Sequence, residues 1–232
     1  AAVALFSFLH TNLPAQGSWH QTSTSGPSQQ LAAHAAAYDM AREHMLMFGG
    51  FDPSYTMQGL TLRFDGVNWT TLTSPTEPSA RAAHSMAYDS FRERIVLFGG
   101  LTAFLIGLPL GDTWEHDGTS WIQRSPAVSP PARLDHAMSY DMIRQRVVLC
   151  GGRSSFASML GDTWEWDGTT WHNVSNSGPS PRFHLAMCFD LINARTVMFG
   201  GKGTNPLDDT WLWDGTNWQQ VLSAIAPSPR AG

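Results

Sequence analysis

The chain has 232 residues, a net charge of −5 and only 14% charged residues, against 42% hydrophobic ones. That is enough apolar material for a packed core, while a single lysine (Lys202) and no basic stripe exclude a nucleic-acid binder. Ten tryptophans and 21 glycines point to β-structure with tight turns rather than to helices.

In chain order, residues 1–9 (AAVALFSFL) are apolar and are followed by the small-residue stretch Leu13-Pro14-Ala15-Gln16-Gly17. The pattern reads as the remnant of a secretory signal over residues 1–15, cleaved near Ala15, and implies a secreted, periplasmic or extracellular protein. The run is too short to span a membrane, which takes about 20 apolar residues. Residues 16–30 carry Trp19, which stands 12 residues before Leu31. The same distance separates Trp69 from Arg81, Trp121 from Arg133 and Trp218 from Arg230, so residues 18–24 read as an orphan fourth strand.

From residue 31 the sequence repeats. Tyr38-Asp39, Tyr88-Asp89, Tyr140-Asp141 and Phe189-Asp190 recur at intervals of 50, 52 and 49 residues. A double glycine begins ten residues after each Asp, at Gly49-Gly50, Gly99-Gly100, Gly151-Gly152 and Gly200-Gly201. Asp112-Thr113-Trp114, Asp162-Thr163-Trp164 and Asp209-Thr210-Trp211 come next, with Leu60-Thr61-Leu62 as a degenerate first copy. An Asp-Gly pair then opens at Asp65, Asp117, Asp167 and Asp214, and a tryptophan stands four residues after each Asp. Asp-Gly between apolar runs is a hairpin signal. Each unit therefore holds four short strands, and four strands at a period near 50 residues is the arithmetic of a β-propeller blade.

The double glycine after an apolar strand (Val96-Leu97-Phe98-Gly99-Gly100), the aromatic-Asp pair before it and the fourth-strand tryptophan resemble the kelch repeat over residues 18–230. The third strand, Asp-Thr-Trp-Glu-Trp-Asp-Gly, is especially similar to bacterial kelch repeats. The expected fold is all-β: four four-stranded antiparallel blades at about 31–78, 79–128, 129–178 and 179–227, with a further blade opening at 228–232. Since the fourth blade already owns Trp218, the orphan strand at 16–30 is expected to belong with a blade beyond it, in a fragment of a six- or seven-bladed ring; an open arc with unpaired packing faces is the alternative.

No catalytic, cofactor-binding or metal-ligating residue is expected. His34, His84 and His136 share one repeat position, and repeat-equivalent side chains point alike in different blades instead of converging on an ion. The Asp of each aromatic-Asp and Asp-Gly pair has a turn to hold. Cys150 and Cys188 fall on strands of successive blades and read as two buried apolar side chains, with a bridge as the alternative. The resemblance extends to galactose oxidase, which implies a copper enzyme as one alternative; an architectural spacer in a larger secreted protein is another. The leading expectation is a non-catalytic scaffold that presents loops to a protein or glycan partner. Repeat length varies mainly after the double glycine, where the connections have nine, eleven, nine and seven residues. Loops on a rigid scaffold carry binding, so the expected contacts are Phe51, Tyr55, Phe104, Ile106, Arg153, Phe156 and Lys202.

Overall fold

A computed structural model describes residues 30–103, 107–222 and 227–229. The leader at 1–15, the orphan strand at 18–24, Phe104, Ile106 and the Arg230 repeat slot lie outside the described residues. Among the described residues there is no helix, hence none long and apolar enough to cross a membrane.

Blade one consists of β1 (Ala35–Asp39), β2 (His44–Phe48), β3 (Thr61–Phe64) and β4 (Trp69–Leu72). Blade two follows with β5 (Ser85–Asp89), β6 (Arg94–Phe98), β7 (Thr113–His116) and β8 (Trp121–Arg124). Blade three holds β9 (Ala137–Asp141), β10 (Arg146–Cys150), β13 (Thr163–Trp166) and β14 (Trp171–Ser175), with a small hairpin between its second and third strands, β11 (Arg153–Ser155) and β12 (Ser158–Met159). Blade four is β15 (Ala186–Asp190), β16 (Arg195–Phe199), β17 (Thr210–Trp213) and β18 (Trp218–Val221). Each blade is a four-stranded antiparallel meander in chain order. The β11–β12 hairpin stands where a plain loop was expected. The first strands β1, β5, β9 and β15 lie side by side, which sets the blades next to one another in sequence order.

The second strands of blades two and three are apolar on both faces because both faces are covered. Ile95, Val96, Leu97 and Phe98 are all buried. Large meets small across each gap: Met138, Tyr140 and Trp171 of blade three pack on Ala87, Val96 and Phe98 of blade two. Polar bolts recur at the same places. The fourth-strand indoles of Trp121, Trp171 and Trp218 donate to Thr61, Thr113 and Thr163 Oγ1 of the preceding blade, each at 2.9 Å. The indole of Trp166 donates to Glu115 Oε1 at 2.9 Å, and that of Trp213 to Glu165 Oε1 at 2.8 Å. Within a blade, Arg81, Arg133 and Arg182 grip Asp112, Asp162 and Asp209 through both carboxylate oxygens.

The punctuating residues explain themselves at close range. Gly151 has φ +69°, and a Cβ there would come within 2.7 Å of the Arg182 carbonyl of blade four; no side chain fits between the blades. Asp89 Oδ1 accepts the Phe91 and Arg92 amides, and its Oδ2 pairs with Arg92. The hairpin Asp117 likewise accepts the Thr119 and Ser120 amides. One expectation is corrected. Cys150 is buried, but Cys188 is exposed, and both thiols are free. Cys188 occupies the small-residue position of Ala87 and Ser139, on the face of blade four that no further blade covers among the described residues.

Candidate functional site

The residue after each double glycine is clamped. Phe51 bridges Ala32 and Met57, Leu101 bridges Ala82 and Pro109, Arg153 bridges Leu134, and Lys202 bridges Phe183 and Pro206. Four side chains of different chemistry are thus presented by one backbone geometry, Phe and Leu on blades one and two, Arg and Lys on blades three and four. Beside them runs a belt of left-handed residues, Ala33, Ala83, Asp135 and His184, with φ between 52° and 58°. Each belt amide donates to the belt carbonyl of the blade before: Ala83 to Ala33 and Asp135 to Ala83 at 2.9 Å, His184 to Asp135 at 3.0 Å. A backbone strap of this kind fixes the spacing of the loops it joins.

A cleft of about 230 Å³ opens against this belt. Phe51, Leu101, Leu134 and Phe156 supply its apolar wall, and Asp135, Arg153 and His184 its polar side. Arg153 Nε and Nη2 donate to Asp135 Oδ2 at 2.8 and 2.6 Å. His184 Nε2 lies 3.2 Å from Asp135 Oδ1. The guanidinium is flanked by two rings, its Cζ 4.4 Å from the Phe183 centroid and 4.9 Å from that of Phe156, so that both electrostatics and stacking hold it. A neighbouring hollow of about 240 Å³, lined by Leu101, Leu108, Pro109, Leu134 and Phe156, shares its dividing wall with the cleft.

Of the residues expected at the site, Phe51, Arg153 and Phe156 line the cleft. Tyr55, 69% exposed, stacks on Phe51 at 5.7 Å, and so extends the apolar side outward. Lys202 holds the equivalent position on blade four, exposed and away from the cleft lining. Phe104 and Ile106 lie outside the described residues, though Leu101 and Leu108 to either side line the second hollow. Asp135 and His184 were not anticipated. Their only sequence signal is the replacement of Ala33 and Ala83 by charged or polar residues at one repeat position.

The residues that lead into the first strands line a larger cavity of about 480 Å³, with His34, His84 and His136 in its wall. His84 stands edge-on to Phe48 at 5.6 Å, and His136 edge-on to Phe98 at 5.7 Å. Burial pushes the His84 ring down to a pKa of about 3, helped by the Arg81 charge. Burial likewise drives His136 well below the ordinary value, with Arg133 adding to it. Both rings are therefore neutral wedges. Leu185 fills the same slot on blade four, with its Cδ2 3.0 Å from where a Cβ on Gly151 would stand. Among the described residues, no group of three or more His, Cys, Asp or Glu is arranged to hold a metal ion.

The chain matches the KLHDC2/KLHL20/DRC7 Kelch-repeats domain over residues 4–167, more than half its length. No curated protein matches it.

Proposed function

We propose that this chain, which belongs to the kelch-repeat family, is a non-catalytic scaffold that holds a protein partner in the cleft at the loop mouth. Kelch repeats generally mediate protein–protein interaction. The observation that carries the reading here is the strapped cleft, an apolar wall of Phe51, Leu101, Leu134 and Phe156 beside a fixed Asp135–Arg153 pair. Interface hot spots have this anatomy: an aromatic or aliphatic anchor in a dry pocket, with a few oriented polar groups around it. The polar groups have no reacting role to play, because Asp135 and Arg153 satisfy one another and Phe156 and Phe183 cover the guanidinium faces.

Peptides selected from a random displayed library against the intact chain test this directly. Selected binders are expected to lose about tenfold or more in affinity on Phe156→Ala or Leu101→Ala, the scale of a buried anchor. Exposed Val67→Ala and Thr169→Ala at the opposite Asp-Gly turns are expected to leave them unchanged. Binders that ignore the mouth and respond to the turns would overturn the proposal.

A further inference from the structure

The interfaces between successive blades share one electrostatic plan, and the first of them departs from it. Between blades two and three, Glu115 Oε1 accepts the Arg92 guanidinium and the Trp166 indole, while Oε2 accepts Arg124. Between blades three and four, Glu165 Oε1 accepts Arg144 and the Trp213 indole in the same way. A carboxylate ringed by N–H donors is what a buried charge requires. Between blades one and two, the repeat positions of that glutamate and that tryptophan belong to Arg63 and His116.

Strand pairing brings the side chains at this level together. His44, Leu46 and Phe48 alternate onto one face of β2, the face on which Leu46 and Phe48 pack with Met86 and Trp121 of blade two. Arg63 stands opposite Leu46 in β3 and shares that face. From the other side, the position of His116 points toward the preceding blade, as the Trp166 and Trp213 indoles do. Its ring stands edge-on to Trp121 at 5.0 Å, and Trp121 is bolted to Thr61 of blade one. Burial pushes His116 down to a pKa of about 4 against the pull of Asp117, and the neighbouring His44 and Arg42 add to the push.

The nitrogens here outnumber their acceptors. His44 is buried, and its Nδ1 donates to the Arg42 carbonyl at 3.2 Å, while Nε2 is buried with no hydrogen-bond partner. Arg63 Nε is buried without one as well. His116 Nδ1 accepts the Gly118 amide at 3.1 Å, which puts the ring proton on Nε2. The carboxylates nearby are engaged: Asp39 with its turn amides and Arg42, Asp117 with the Thr119 and Ser120 amides, Glu93 with Arg42. Buried polar groups left unpaired are costly. An imidazole in place of an indole also returns more volume than arginine in place of glutamate takes.

We propose that Arg63, His116 and His44 bind a small monovalent anion of the size of chloride between blades one and two, where the next two interfaces keep a glutamate carboxylate. Arg63 Nε–H and His116 Nε2–H donate to it, and His44 completes the set by taking up a proton on Nε2 as the anion binds. The contact between these two blades is thereby tied to anion concentration, and chloride binds more tightly at about pH 6 than at about pH 8.

Thermal unfolding of the whole chain at constant ionic strength, with chloride replacing the bulkier gluconate, is expected to show a saturable rise in midpoint of about 2–4 °C. The double variant Arg63→Glu, His116→Trp gives this interface the glutamate–indole pair of the next two and is expected to lose the response. Imidazole NMR signals of the unmodified chain provide a reading that needs no variant. Those of His44 and His116 are expected to move with chloride, while His84, at the Phe48 end of the same interface, stays. An equal rise in the double variant is a general salt effect and overturns the proposal. A midpoint that ignores chloride, or His44 and His116 signals that do, overturns it as well.

Discussion

At the scale of single residues, two of the buried histidines, His84 and His136, are the sharpest case of chemistry subordinated to packing. His84 and His136 each fill a gap between blades, and Leu185 does the same work without a titratable group. The cost appears only in acid. The folded rings are held below their ordinary pKa of 6.5 by burial, His84 at about 3. Below pH 6.5 the unfolded chain takes up protons that the folded chain refuses, so stability falls as pH drops from about 6.5 toward 3. Each unit of separation is worth about 1.4 kcal/mol. Asp112, Asp162 and Asp209 act in the same direction at lower pH. Burial raises their carboxyls, but the Arg partners more than offset it and hold them below 3.8, so their contribution is lost as pH falls through that range. The double variant His84→Leu, His136→Leu is expected to flatten the decline between pH 6.5 and 4 while leaving the loss below pH 4. Urea midpoints measured across this range check it, and equal slopes for wild type and variant would show that the rings are not the source.

At the scale of elements, the blade is legible in sequence because its punctuation is chemical. Asp-Gly must make the β3–β4 type of turn, the double glycine must pass the next blade's backbone, and the strands fall between them. What ties a blade together and joins it to the next is not legible, since it lies in pairs far apart in the chain. Arg81 and Asp112 are 31 residues apart, and Trp171 and Thr113 are 58; each residue alone is only a repeat marker. Blade one shows the logic by its exceptions: Leu31 and Leu60 replace both members of the Arg–Asp pair, and Arg63 and His116 hold the repeat positions at which Glu accepts an indole elsewhere. The mouth is legible in part. Variable loop length marks Phe51, Arg153 and Phe156, whereas Asp135 and His184 enter by single replacements at a position whose left-handed backbone no local pattern reveals. The Thr–indole bolt gives a prediction with an internal control. Thr113→Val leaves the buried Trp171 N–H without an acceptor and is expected to cost about 1–3 kcal/mol. Thr210→Val, at the same repeat position but with no indole on it, is expected to be near neutral in dilute solution. Denaturant titration of the two variants decides it; equal losses would mean that the hydroxyl matters to its own strand and not to the neighbouring blade.

At the scale of the whole molecule, stability is a sum over neighbours. A blade contributes little alone, and each interface adds a cluster of buried side chains to both of its sides. Blades two and three have both faces covered. In blade three the first strand is buried from Ala137 to Asp141, whereas the equivalent Ala186 and Cys188 of blade four are exposed. Local opening follows burial, because an amide exchanges once the side chains that hide it have parted. Hydrogen exchange in dilute solution is therefore expected to be slowest in β6 and β10, whose apolar residues are buried throughout, and fastest in β18, where Gln219, Gln220 and Val221 are exposed. The mouth does not enter this account, since its strap runs within the chain and is complete from Ala33 to His184. Exchange in β6 or β10 as fast as in β18 would show that burial between blades does not set the order of opening.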